Sequence, residues 1–524
     1  MWNLPILLLA AAGCLLAQAP RYDILIRNAR VIDGAGNPWF RASVGIEGDR
    51  IAGVGLLLGA TATLIIDAGG FVISPGFIDI HSHSRNHIKQ HPDAENLLRM
   101  GVTTIVEGND GNSWFPIGNA LAGLSMTPIA VNFATFVGQG SVRQQVLQTE
   151  NRKATPAEIE RMRALVRQAM RDGAFGLSTG LFYVPGNFTP IDEVIELAKV
   201  AGEMGGMHIS HMRDETVHVL DSVKETIRIG QEGGLPTQIT HHKIIGVANW
   251  GRSVETLKLV EDARARGVDV TLDQYPYTAS STGTAAMFPQ WSQEGGAGGL
   301  KKRLASPAER AKIKAEVVRR LRDDRGGGNP KNVVMASCGF DHSLDGKSLA
   351  QITDAEGHEP SLENAAETAM DIQRKGGCSA IYHAIDEEDL ERILKYPFTM
   401  IASDGGIVPF GEGVPHPRNY GTFARVLGYY VRERRVMGLE DAVRRMTSLP
   451  AERLGLADRG LLRPGMKADL VIFDPETVAD QATFAEPHQY AAGFRDVLVN
   501  GKPVILDGKL TSDRPGQILY GPGK

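Results

Sequence analysis

Cysteine is scarce in this chain: three residues in 524, at positions 14, 338 and 378. Three thiols make no disulfide framework, and neither a CxxC nor a Cys/His finger spacing occurs, so cysteine is excluded as the builder of a metal site. If residue 14 is lost with a leader, Cys338 and Cys378 remain and can pair in an oxidising compartment. Strong charge of either sign is also missing. The net charge is −5 with no Lys/Arg-rich block, which excludes the electrostatic footprint of a nucleic-acid binder. Long apolar runs are absent except at the start, MWNLPILLLAAAGCLLAQAP, and that one is short for a bilayer span. Ala17-Gln18-Ala19 has the small-x-small pattern that signal peptidase cuts, so residues 1–19 read as an export signal and the mature chain is expected to have no transmembrane span. No Lys or Arg precedes the apolar core and Pro20 follows the cut. A second reading therefore takes Ala11-Ala12-Gly13-Cys14 as an imperfect lipoprotein box, anchoring a periplasmic or extracellular protein through Cys14.

What is present is ordinary globular material, 42% hydrophobic and 22% charged, long enough for one large catalytic domain and a smaller one. Both ends of the chain read as β structure. Tyr22 to Val31 alternates apolar and polar residues, and the runs 42–46 and 50–54 flank Glu47-Gly48-Asp49 as hairpin strands do. Near the other end, 469–473, 497–499 and 504–506, the last two around Asn500-Gly501, repeat the pattern. Between them, apolar runs at 72–79, 102–107, 129–136, 176–178, 207–210, 238–241, 268–273 and 399–403 alternate with helical stretches. Thr155-Pro156-Ala157-Glu158 opens one helix as a capping box, and Thr189-Pro190-Ile191-Asp192 is expected to open the next in the same way. The expected fold is α/β: a (β/α)8 TIM-like barrel over 76–450, with a small β-sandwich domain from 20–75 and 451–524. The Gly-rich and charged stretch at about 280–331 reads as an insertion over the barrel mouth.

In such a barrel the chemistry lies where strands end. Ile80-His81-Ser82-His83 places two imidazoles two residues apart as an apolar strand ends, so both rings project to one side and can converge on a cation. His208 with His211, and His241 with His242, close later strands. Strand periodicity aims only one of each pair at the axis; His211 and His241 are the expected ligands, while His208 and His242 are equally well explained by packing. Asp404 ends the last strand, where a carboxylate can bind metal and shuttle protons.

Taken together these residues resemble the amidohydrolase superfamily. Within it, Ser178-Thr179-Gly180-Leu181-Phe182-Tyr183, His211-Met212-Arg213-Asp214-Glu215, His241-His242-Lys243, the stretch from Tyr275 to Ser281 and the stretch from His416 to Phe423 are similar to the N-acyl-D-amino-acid deacylases, as is the tail through Gly465-Met466-Lys467-Ala468-Asp469-Leu470. The resemblance covers nearly the whole chain after residue 20. It implies a metal-dependent hydrolase that splits N-acyl-D-amino acids, small molecules, into a carboxylate and a free D-amino acid. Where the family carries a metal-binding Cys in a Gly-Asn-Cys-Gly motif, this chain reads Gly108-Asn109-Asp110-Gly111. Asp110 stands in that place, with Glu107 as the alternative ligand. A carboxylate is harder than a thiolate, so zinc is the expected metal but Mn, Fe or Co are also admitted, as one or two ions. The resemblance puts Asp110, His211 and His241 on the main ion and His81, His83 and Asp404 on a second, with Asp404 as the catalytic proton carrier. Arg418, Lys243, Tyr183, Tyr275 and Ser281 fall on its carboxylate-binding motifs. Members acting on acidic D-residues carry a further Arg after the Tyr-Pro-Tyr strand, and 283–289 has none, which implies a neutral or apolar D-residue. The rival readings are a cyclic-amide hydrolase or D-residue dipeptidase of the same superfamily, which use a carboxylated lysine that no early strand end supplies, and a non-catalytic exported binding protein.

Overall fold

The computed structural model describes residues 20–524; the leader, with its cleavage pattern and Cys14, lies outside the described residues. The fold is α/β. Three parallel strands, Phe77–Asp79, Val102–Glu107 and Asn132–Thr135, form one sheet. Six more, Val137–Gly138, Gly176–Gly180, Met207–His211, Thr237–Ile239, Val270–Gln274 and Thr399–Ile401, form a second. The two sheets meet on one side at a parallel bridge between Ser82 and Gly405. On the other, Phe136 separates Asn132–Thr135 from Val137–Gly138, and its amide donates to the Glu107 carbonyl at 2.8 Å. Both sheets are buried throughout, as expected of parallel strands covered by helices. Among the described residues no helix is long and apolar enough to cross a membrane.

Local chemistry explains most of the elements. The Thr155 hydroxyl accepts from the Glu158 amide at 3.3 Å while Glu158 accepts from the Thr155 amide at 2.8 Å, the expected capping box on helix Pro156–Asp172. Met162, Val166 and Met170 are its buried face. The next helix, Ile191–Glu203, departs from expectation: its N-cap is Pro190 with no side-chain cap, because the Thr189 hydroxyl is taken by the Gln139 amide at 3.0 Å. The apolar run 72–79 is two strands rather than one. Val72–Pro75 pairs with Arg21–Val31 and Leu470–Phe473, whereas Phe77–Asp79 joins the parallel set. Gly76 makes the switch where a Cβ would lie 2.3 Å from the Thr103 hydroxyl oxygen.

The chain ends share one nine-stranded sheet running from Lys509–Leu510 to Arg50–Gly55. Its apolar residues, among them Ile26, Val44, Ile73, Leu470 and Leu498, form one core. Asn500 and Gly501 both have positive φ, 45° and 75°, the geometry of a type I′ hairpin turn. Outside the parallel sheets the insertion is longer than the 280–331 expected. Ala279–Gly283 pairs antiparallel with Ser379–His383, which pairs with Val333–Ser337, so the interruption runs on to His383. Helix Pro307–Asp323 packs in a core of its own with Met287, Phe288, Met335 and Tyr382. Cys338 and Cys378 are joined as a disulfide across it.

Candidate metal centre

The ends of the parallel strands converge on two groups of donors. One is His81, His83, Asp110 and Asp404; the other is Asp110, His211 and His241, and within each group the ligand atoms lie within 4.8 Å of one another. Asp110 belongs to both. Its carboxylate lies 3.4 Å from His81 Nε2, 3.5 Å from His83 Nε2, 3.6 Å from His241 Nε2 and 3.7 Å from His211 Nδ1. His81 Nε2 is 3.3 Å from His83 Nε2, and Asp404 Oδ1 is 3.4 Å and 3.0 Å from these two nitrogens. Ligands at 2.0–2.2 Å around a tetrahedral ion stand about 3.3–3.6 Å apart; the Asp110 and His81 spacings fall in or near that range, whereas His241 Nε2 and His211 Nδ1, at 2.7 Å, and His83 Nε2 and Asp404 Oδ1, at 3.0 Å, stand at hydrogen-bond distance and would move apart around an ion. Asp110 Oδ1, buried without a hydrogen-bond partner among the described residues, fits an ion.

The electrostatics are those of ligands held ionised. Burial opposes charge on Asp110, but the His81 and His211 imidazoles outweigh it and keep the carboxyl well below its usual range. At Asp404 burial is likewise outweighed, by the Arg418 guanidinium 2.7 Å from Oδ2 and by His81. Burial works against a charged imidazole at His81 too, and there Asp110 and Asp404 win, raising its pKa. Three of the ligands sit in the left-handed region that side chains rarely adopt: Asp110 (φ 55°), His241 (φ 33°) and Asp404 (φ 48°).

Glu107 is not in either group. Its Oε1 accepts from the Ser84 amide at 2.5 Å and the side chain is buried beneath the site. His208 is held between the Thr179 and Thr237 hydroxyls at 2.9 and 2.8 Å, and burial takes its pKa down to about 3. His242 turns to the Thr256 hydroxyl at 2.8 Å. Both therefore face away from the donors. Glu215 had no role assigned from sequence. It is buried and lies 3.2 Å from His241 Nδ1, so it can accept that N–H and leave Nε2 to face the cluster. Asp273 holds the His241 amide at 2.7 Å. The signal for both was available: Glu215 follows His211 by four residues, and Asp273 closes a strand.

A cavity of about 440 Å³ opens above the donors, and Tyr183, Lys243, Ser281 and Arg418 line it, a size suited to a small molecule. Tyr275 does not. It is buried with its ring 5.0 Å from the Arg418 guanidinium and its hydroxyl has no partner among the described residues. Lys243 is tied to Glu215 at 2.6 Å. The stretch 283–289 contributes nothing to the lining, being mostly a short helix, Thr284–Met287, that packs inward. Instead Arg325, from the middle of the insertion, reaches the cavity. The absence of arginine from 283–289 thus does not leave the substrate-facing wall without a further cation.

The fold and the paired donor groups define a metal-dependent hydrolase architecture, and the chain belongs to the amidohydrolase family, whose model matches residues 64–505. A D-aminoacylase of Alcaligenes xylosoxydans xylosoxydans is 38% identical over 95% of this chain and 97% of its own length. The crystal structure of N-acyl-D-glutamate deacylase from Bordetella bronchiseptica, complexed with zinc and a phosphonate inhibitor, superposes with a TM-score of 0.82. It shares 35% identity over 95% of this chain and 100% of that one. A D-hydantoinase structure at 15% identity and TM-score 0.57 shares the fold.

Proposed function

We propose that this protein hydrolyses the amide bond of N-acyl-D-amino acids, releasing a carboxylate and a free D-amino acid. The carrying observation is Asp110 set between two pairs of imidazoles beneath a cavity that also presents Arg418. The activities of the similar proteins support the same reading. Asp110, His211 and His241 would hold the main ion and His81, His83 and Asp404 a second, with zinc first and Mn, Fe or Co as other occupants. A divalent cation held there would supply the lowered water pKa, from about 15.7 toward 7, and the polarised amide carbonyl that hydrolysis needs.

The chain's own residues supply the rest. Asp404 takes the proton from the attacking water and delivers it to the leaving amine, which must be protonated before the C–N bond breaks. Arg418 spends one arm on Asp404 and another on the Ser281 carbonyl at 3.3 Å. With five N–H donors, a guanidinium keeps others free for the substrate α-carboxylate. Glu215 holds the His241 ring through Nδ1, and Lys243 donates to Glu215 and fixes it there. We read the two parallel sheets as one closed eight-stranded barrel within 76–450, and the terminal sheet as part of a small β-sandwich domain built from 20–75 and 451–524. We further read the leader as an export signal, with a lipid anchor as the second choice; the Cys338–Cys378 disulfide supports an oxidising location.

The test is a screen of N-acetyl-D- and N-acetyl-L-amino acids, hydantoins and dipeptides with the zinc-loaded enzyme. Hydrolysis of the D-amides, lost on chelation and restored by zinc, is expected, with kcat lowered about 10²–10⁴-fold by Asp404→Asn. Turnover of hydantoins or dipeptides in place of the D-amides would overturn the reading.

A further inference from the structure

Four cations line the cavity, and they differ in what they already hold. Arg418 is paired with Asp404 at 2.7 Å and Lys243 with Glu215 at 2.6 Å. Arg85 is half-buried, where water can solvate it. Arg325 is 5% exposed. Among the described residues its guanidinium has no hydrogen bond and no carboxylate within ion-pair distance; its backbone amide alone is bonded, to the Arg320 carbonyl. The charge lies 4.9 Å from the Phe182 ring centre and 5.6 Å from that of Tyr382. These rings attract a cation and fix its plane but offer no acceptor. The guanidinium nitrogens open on the cavity rather than on a protein acceptor, and a carboxylate meeting the planar fork would give them two charge-assisted hydrogen bonds.

The α-carboxylate has a partner in Arg418 beside the donor groups. We propose that Arg325 anchors a second substrate carboxylate, so that this enzyme prefers N-acyl-D-amino acids bearing two carboxylates; this rests on the deacylase reading above and replaces the neutral side chain expected from 283–289. The second carboxylate can ride on the amino-acid side chain or on the acyl group, and the chemistry recognised is the same. Arg325 comes from the insertion, just after helix Pro307–Asp323 and before a Gly-rich turn, so the cation enters the cavity from outside the parallel-strand ends.

Two substrate pairs, matched in shape and differing in charge, test this with the zinc-loaded enzyme. They are N-acetyl-D-glutamate against N-acetyl-D-glutamine, and N-succinyl-D-leucine against its terminal amide. We expect one pair to show a preference for the dianion of about 100-fold in kcat/KM, and the pair that shows it identifies where the second carboxylate sits. Arg325→Gln should bring that ratio to within a few-fold of one. Arg325→Met should do the same, and thermal unfolding of both variants shows which of them is folded well enough to carry the comparison. Absence of preference in both pairs overturns the proposal. So does a preference that survives both substitutions, and so does an equal fall for both members of a pair, which would mark Arg325 as structural. No hydrolysis of any N-acyl-D-amino acid overturns the deacylase reading and the subsite with it, whereas hydrolysis without charge discrimination overturns the subsite alone.

Discussion

The parallel-strand ends and the insertion face the same cavity, yet they are made differently. The strand ends bring His81, His83, Asp110, His211, His241 and Asp404 together from rigid, fully buried strands. The insertion has its own antiparallel sheet, its own core and a disulfide, and gives the cavity Ser280, Ser281, Thr282 and Arg325. One region fixes the chemistry, where displacements of a fraction of an ångström matter; the other sets what is admitted. That division is open to attack from both sides.

The sharpest attack is on Asp110. Because it touches both donor groups, Asp110→Ala should empty both, seen as loss of bound metal by elemental analysis and a fall in kcat of about three orders of magnitude. Glu107→Ala should retain its metal; the reverse pattern would show that the ligand is Glu107. The insertion can be loosened separately. Replacing Cys338 and Cys378 by alanine should cost about 2–4 kcal/mol of unfolding free energy, while metal content stays unchanged. Loss of metal in that variant would show the two regions to be one mechanical unit. The smallest effect lies in the strand layer. Burial depresses the His208 pKa to about 3 in the folded protein, against about 6.5 unfolded. Between those values the unfolded chain binds a proton that the folded one refuses, so stability is lost as pH falls through this window. The slope is about 1.4 kcal/mol per pH unit for one group. Urea midpoints at pH 6.5 and 5.5 should show it, and His208→Gln should remove its share of the slope, leaving that of His242 and His416, which burial also depresses.

The same division governs how much could be read in advance. His81, His83, His211, His241 and Asp404 are legible because each closes an apolar run, and a strand end is a local feature. Period two allows only one of His208 and His211 to face the axis, and His211 is chosen because it closes the strand; the observed geometry places His211 among the donors and His208 between two threonines. That Asp110 stands between both groups is not legible, since it depends on how a turn after Val102–Glu107 meets strands far along the chain. Glu107 lost its ligand role to a local contact, the Ser84 amide, which no pattern announces. Tyr275 matched a substrate-binding motif but packs behind Arg418. The insertion was underestimated because its helices resemble those of the βα repeat, and only strand pairing shows that Ser379–His383 runs antiparallel outside the parallel set. Arg325 carries no pattern that sets it apart in sequence from Arg319, Arg320 and Arg322 on the charged helix before it.

The left-handed backbone at Asp110, His241 and Asp404 has a bearing on how this site is mutated. A residue other than glycine, asparagine or aspartate held there costs on the order of 1 kcal/mol. An alanine scan would therefore report conformational strain and lost ligation as a single number at just these positions. Asparagine and glycine tolerate that backbone, so a library restricted to them at 110 and 404 would separate the two effects. Position 241 is different: histidine already bears the strain there, and a replacement with freer backbone could make the protein harder to unfold while leaving it inert.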